Sequence, residues 1–263
     1  MMGILVLQTA AAALMAAAGA AMMRRSRLAA TITGALFLSL VLLKAIVGHI
    51  PAMEASLFPW DWYPVVEPSW YLVPAMFLVG AGLQAMKGAA WKRGLLLTAA
   101  TLLIVRTGAA GWVTSRPPEL QGTVNDAGVC LQTASYSCGA AAATSFVYYY
   151  GVRVTEKEMA ELCVTRAGGP GLIGTSDAGL MRGLRRKLAG RYDIFIARTV
   201  YDDLPTPALV PLELFPGVGH CVLVWRVDPE MVYLLDPRSG RTTLSRATFE
   251  RQWTGAAIWA AHQ

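Results

Sequence analysis

Residues 128–151 read GVCLQTASYSCGAAAATSFVYYYG, and the fold turns on how Cys138 sits inside them. Behind Cys138 and Gly139, small and aromatic residues run from Ala140 to Tyr150 with neither charge nor proline. This run predicts one buried helix, stopped by Gly151 at the position just past its end, where glycine tolerates the left-handed backbone. Cys138 then lies at the positive end of the helix. Unpaired backbone N–H groups and the helix dipole favour thiolate over thiol there, which makes Cys138 a candidate nucleophile. Gln132 lies upstream, where its side-chain amide can fold back beside the Cys138 backbone N–H. Two such donors form an oxyanion hole for a tetrahedral intermediate.

A thiolate needs a base, and the base needs an orienting group. Downstream, His220 opens the apolar run Cys221 to Trp225, Asp228-Pro229-Glu230 makes a turn, and Met231 to Leu235 runs back to Asp236-Pro237. The pattern is a β-hairpin. Folding it about Pro229 places position 222 opposite 236, so His220 and Asp236 meet at its open end on adjacent strands.

These residues resemble the C39 cysteine peptidases, the bacteriocin-processing type within the papain-like group. The resemblance runs from about Val129 to Ile258. It is carried by Gln132, the CGAA of Cys138 to Ala141, the YYG of Tyr149 to Gly151, glycine-rich 168–174, Leu204-Pro205, Gly219-His220, and Asp236-Pro237 with Gly240. It implies Cys138 as nucleophile, His220 as general base and then acid, Asp236 as orienter and Gln132 as oxyanion donor. It also implies cleavage after paired small residues, typically a double glycine in a leader peptide. Ser137 departs from the pattern, since the family often has an acidic residue before the cysteine; the expected effect is on tuning more than competence.

The two halves of the 263-residue chain differ chemically: residues 1–116 hold 9 Lys and Arg against 3 Asp and Glu, and 117–263 hold 14 against 14. The basic excess flanks apolar stretches and forms no basic face on the second half, which argues against nucleic acid as a partner. About 20 apolar residues cross a bilayer, and four stretches qualify as expected spans: about 3–23, 28–50, 70–86 and 94–113. Ala18-Gly19-Ala20 offers small residues for signal cleavage of the first, but its charges, Arg24, Arg25 and Arg27, follow the apolar core, which favours a retained span and leaves cleavage the alternative. Between the second and third spans, 51–69 is rich in aromatics suited to the headgroup boundary. The expectation is therefore an α-helical membrane region, 1–116, followed by an α+β papain-like peptidase domain, 117–263, with Pro117-Pro118 as a stiff exit from the membrane.

In the second half, Thr155 to Glu158 reads as a capping box for a helix burying Met159, Leu162 and Cys163. The glycine-rich loop 167–174 lacks Gly-Lys-Ser/Thr and reads as a cleft wall. Thr175 and Ser176 open a helix ending near Gly190, with Arg182, Arg185 and Arg186 on one solvated or lipid-facing side. From Ile194 to Ala260 short apolar runs predict a mainly antiparallel sheet. Cys130, Cys163 and Cys221 are expected to serve packing, with a Cys130–Cys163 disulfide left open. No cysteine has zinc-ligand spacing, and the expected chemistry uses no metal or cofactor.

The leading expectation is thus a membrane-tethered cysteine peptidase acting on a peptide or leader-peptide substrate. Membrane lipid surrounds its first half, and a separately encoded exporter is a possible partner, since no Walker A sequence is present. Two alternatives stay open: a non-catalytic peptide-binding membrane receptor, and a Cys-His-Asp acyl or amide transferase. Basic residues between spans one and two and between three and four place those loops in the cytoplasm of a bacterial plasma membrane and the peptidase domain outside it. Exporter-fused C39 domains, which work on the cytoplasmic side, argue the other way.

Overall fold

The computed structural model describes residues 2–58, 69–86, 90–114, 119–167 and 174–262. Contacts divide the chain into two units, Met1–Ile50 with Trp60–Arg116, and Pro51–Pro59 with Pro117–Gln263.

The first unit contains helices α1 (Met2–Arg25), α2 (Arg27–Gly48), α4 (Ser69–Ala85) and α5 (Ala90–Thr114), one over each apolar stretch. Ser26 separates α1 from α2 and caps the latter, its hydroxyl accepting from the Ala29 N–H. α1 and α4 approach closely at two glycines, Gly19 against Phe77 and Gly80 against Ala16, where a Cβ on either would run into the facing backbone. Small residues at crossings let apolar helices pack backbone to backbone. The expectation of four spans is not supported as it stands: among the described residues one helix, Arg27–Gly48, is long and apolar enough to cross a membrane. Trp70–Ala85 is apolar but shorter, and Pro74 lies inside its helix.

The second unit joins helices to a six-stranded antiparallel sheet of order β1-β6-β2-β3-β4-β5. The helices are α6 (Cys138–Tyr149), α7 (Glu156–Cys163) and α8 (Asp177–Leu188); the strands are β1 (Tyr192–Arg198), β2 (Ala208–Phe215), β3 (Val218–Val227), β4 (Met231–Asp236), β5 (Gly240–Ser245) and β6 (Ala256–His262), with α9 (Arg246–Gln252) before the last. The sheet has a core on each face. On one, Phe146, Met159, Met181 and Leu184 from the helices meet Leu209, Leu223 and Ile258. On the other, Tyr201 and Phe249 cover Val210, Val222 and Val224. Each large side chain buried this way stabilises the fold by about 2 kcal/mol. The alanines of α6, Ala140 to Ala143, are fully buried and let its backbone lie close against its neighbours. Gly151 ends the helix region at φ 76°, as expected for a left-handed stop.

Two expectations change and one open alternative closes. The segment between the second and third apolar stretches is not only a membrane-boundary loop: Pro51–Leu57 forms a helix, α3, and belongs to the second unit. Its alanines explain this, because Ala55 is buried in the same core as Met181 and Leu184 while Arg185 donates to the Ser56 hydroxyl at 3.1 Å. Arg182 is not on a solvated face; it is 7% exposed. Cys130 and Cys163 are free thiols. The aromatics Trp60, Trp62 and Tyr63, the exit prolines Pro117 and Pro118, and 168–173 of the glycine-rich loop lie outside the described residues.

Candidate active site

The chain before α6 is locked in a turn that sets where the helix begins. Ser137 is fully buried, and its hydroxyl donates to the Ala134 carbonyl at 2.9 Å while accepting from the Ala134 N–H at 3.2 Å. It therefore makes no side-chain cap for α6. The Gly139 backbone N–H helps lower the Cys138 pKa.

β3 brings the second component. His220 lies 6% exposed near the start of the strand, and its Nε2 donates to Asp236 Oδ1 at 2.7 Å. The register is Leu223 opposite Leu235 and Val224 opposite Leu234, which continues to position 222 opposite 236 as the hairpin pattern requires. Asp236 is held in turn by the Arg238 N–H at 2.8 Å and the Ser239 hydroxyl at 2.9 Å. The His220 imidazole shares a cavity with Cys138, and each shifts the other's pKa. Cys138, His220 and Asp236 thus form one cluster, with His220 between the thiol and the carboxylate that holds it.

Burial by itself would raise the Cys138 pKa, yet the net direction is downward, through the His220 hydrogen bond, the Cys221 N–H, the His220 charge and the Gly139 N–H. Burial would lower that of His220, but its bonds to Asp236 and Cys138 and their charges carry it up to about 9. Asp236 moves down, since the His220 and Arg238 hydrogen bonds, the His220 charge and Ser239 outweigh its burial. These opposed shifts favour thiolate beside imidazolium. The other cysteines go the opposite way. Burial pushes Cys130 and Cys163 up to about 12, and burial, then the charges of Cys138 and Asp177, push Cys221 well up.

Gln132 is placed by two bonds. Its backbone N–H donates to the Pro237 carbonyl at 2.8 Å, fastening it to the turn that follows Asp236. Its Nε2 donates at 2.8 Å to the Ala134 carbonyl, the oxygen that also accepts from Ser137. Its Oε1 is buried without a hydrogen-bond partner.

Two carboxylates escaped the reading of the sequence. Glu156, fully buried, accepts from the Gly122 N–H at 3.0 Å, the Thr133 N–H at 3.1 Å and the Thr133 hydroxyl at 2.6 Å, clamping the strip that carries Gln132. Asp177 lines a cavity of about 180 Å³ with Cys138, Thr175, Leu180, His220 and Cys221. A sequence signal existed for both. Each sits three and four residues before the buried apolar residues of its helix, Glu156 before Met159 and Ala160 and Asp177 before Leu180 and Met181, and so falls on the stripe that faces inward.

Comparison with known proteins gives the site a context. An uncharacterized protein of Methanothermobacter thermautotrophicus is 31% identical over 136 residues, 52% of this chain and 89% of that protein. The lactococcin-G-processing and transport ATP-binding protein LagD of Lactococcus lactis is 25% identical over 134 residues, 50% of this chain and 18% of that one. Among solved structures, the peptidase domain of Streptococcus ComA, a bifunctional ABC transporter in a quorum-sensing pathway, matches at TM-score 0.45 and 23% identity, covering 54% of this chain and 98% of that one. A double-glycine-motif protease from an AMS/PCAT transporter, in complex with the leader peptide, matches at TM-score 0.44 and 18% identity, covering 55% and 100%. The model of the Peptidase C39 family matches residues 126–263, more than half of the chain and all of the elements that carry Cys138, His220, Asp236 and Gln132. The chain belongs to the Peptidase C39 family.

Proposed function

We propose that this protein is a cysteine peptidase, attached to a membrane through its first unit, that cleaves peptide substrates. The observation that carries this reading is the His220–Asp236 hydrogen bond beside Cys138 in one cavity, where the thiol is shifted down and the imidazole up to about 9. The Cys138 thiolate attacks the scissile carbonyl carbon, a C–S bond forms, and the carbonyl electrons move to oxygen. The Cys138 backbone N–H and the Gln132 amide hold that oxyanion. As the tetrahedral carbon collapses, His220 gives its proton to the departing amine and the C–N bond breaks. Neutral His220 then takes a proton from water, hydroxide attacks the thioester, and loss of the thiolate frees the carboxyl product. Asp236 holds the imidazole in orientation and stabilises its protonated form.

A leader peptide ending in paired glycines is the first substrate to test. The motif resemblance to bacteriocin-processing members supports it, as does relationship to a lactococcin-G-processing protein. Residues 1–116 serve as the membrane region in this reading, with Arg27–Gly48 the helix best fitted to cross, and 117–263 as the peptidase domain, to which α3 is added; an exporter encoded elsewhere is the natural partner.

The test uses the full chain, incubated with a peptide containing such a leader, and follows release of free amine. Cys138→Ala is expected to release none, whereas Cys163→Ala retains most of the rate. Equal loss in the two variants, or no release by the unaltered protein, would refute the reading.

A further inference from the structure

Asp177 has no place in the cleavage cycle, yet it lies in the same cavity as the reacting groups. We propose that the cavity beside Cys138 is a specificity pocket for a lysine or arginine side chain of the peptide substrate, with the Asp177 carboxylate as its anchor. The inference rests on the peptidase reading and adds the substrate class to it. An acid in the first turn of a helix ordinarily faces solvent and complements the dipole. Ser176 already caps α8, and Asp177 falls instead on the stripe of Leu180, Met181 and Leu184.

The lining is suited to a long cationic side chain. Leu180, Leu209, Pro211 and Ile258 offer an apolar wall against which the methylenes of lysine or arginine can pack while the charge reaches a polar end. No lysine or arginine is among the lining residues. Cys138 and His220 as thiolate and imidazolium carry no net charge, so Asp177 leaves the cavity negative. Burial raises the Asp177 pKa above its usual value, the cost of holding its charge away from water. A cationic side chain would offset that penalty and form a charge-assisted hydrogen bond.

Paired glycines leave the cavity empty, so the cation must be supplied by a residue near the scissile bond. The test takes one double-glycine leader peptide and varies singly the two positions on either side of the bond among lysine, arginine, norleucine and glutamate. At one position the full chain is expected to cleave the lysine or arginine peptide at least tenfold faster, in kcat/KM, than the norleucine peptide, and the glutamate peptide slowest. In Asp177→Asn that ratio should fall below about threefold; Asp177→Glu should keep a preference for cations. Melting curves close to that of the unaltered protein establish that the variants are folded. Cleavage without a cation preference at any position overturns the inference and leaves the peptidase reading standing, as does a preference undiminished in folded Asp177→Asn. If Asp177→Asn does not fold, the unaltered protein's own panel decides. Cleavage of no peptide at all removes the peptidase reading, and this inference with it.

Discussion

His220 owes its high pKa to the two groups it touches, Asp236 and Cys138, and this makes the pH profile a direct readout of the residue-scale assignment. The thiolate–imidazolium pair persists from the lowered pKa of Cys138 up to about 9. Activity should therefore hold through neutrality, fall as pH rises through about 9, where His220 loses its proton, and fall on the acid side as the thiolate is protonated. Asp236 raises the His220 pKa, so Asp236→Asn should move the alkaline limb of kcat/KM to lower pH as well as reduce the rate. An alkaline limb unmoved in that variant would detach Asp236 from the site. Gln132 makes a different prediction, because an oxyanion donor acts only in the transition state. Gln132→Ala is expected to lower kcat by about 10²- to 10³-fold with little change in KM. A loss confined to KM would make Gln132 a binding residue instead.

Among the elements, α7 matters beyond its packing. Thr155 caps it as expected, accepting from the Glu158 N–H at 3.2 Å, but the return half of the capping box is not formed; the Glu158 carboxylate pairs with Lys187. Glu156 beside it points inward and satisfies three donors from Gly122 and Thr133. Removing it leaves the buried Gly122 N–H without its acceptor and releases both Thr133 donors. Glu156→Ala should destabilise the protein by roughly 2–4 kcal/mol and lower activity well below the melting transition, since Thr133 adjoins Gln132. Denaturant unfolding with a parallel rate assay checks both, and Glu156→Gln, which keeps the shape, should lose less. The hairpin of β3 and β4 shows another effect at this scale. Near its turn Arg226 opposes Tyr233 and Val227 opposes Val232, and a bulge shifts the register before Val224 and Leu234. The bulge sets the alignment that the His220–Asp236 contact uses.

At the scale of the whole molecule, α3 constrains how the chain can thread a membrane. It precedes α4 and α5 in sequence and yet is part of the peptidase unit. Residues 51–58 and the domain from residue 119 onward must then lie on one side of any bilayer, so α4 and α5 either both cross it or neither does. If all four helices crossed, the basic helix ends with Arg24, Arg25 and Arg27, and with Lys92 and Arg93, would face the cytoplasm and the second unit would face out. In that arrangement, alkaline phosphatase fused after Gln263 in a bacterial host would be active and a fusion after Lys92 inactive. The reverse result would place the peptidase unit in the cytoplasm.

What the sequence by itself determined was local or motif-borne: the helix behind Cys138 and its stop at Gly151, the antiparallel strands, and Cys138, His220, Asp236 and Gln132 as the residues to watch. Apolar periodicity, turn residues and family spacing are written along the chain, so they can be read there. The tertiary structure alone decided what lies against each polar side chain. Glu156 and Asp177 fall on the inward stripes of their helices, but what they meet there comes from segments distant in sequence, Gly122 and Thr133 for one and the cavity shared with Leu209, His220 and Ile258 for the other. Pro51–Leu57 was read with the membrane region it follows; it packs instead with α8 and β1, because burial of Ala55 and the Arg185 bond to Ser56 are formed across the chain. Desolvation and hydrogen bonding are properties of an environment, and for these residues the environment is assembled only when distant parts of the chain come together.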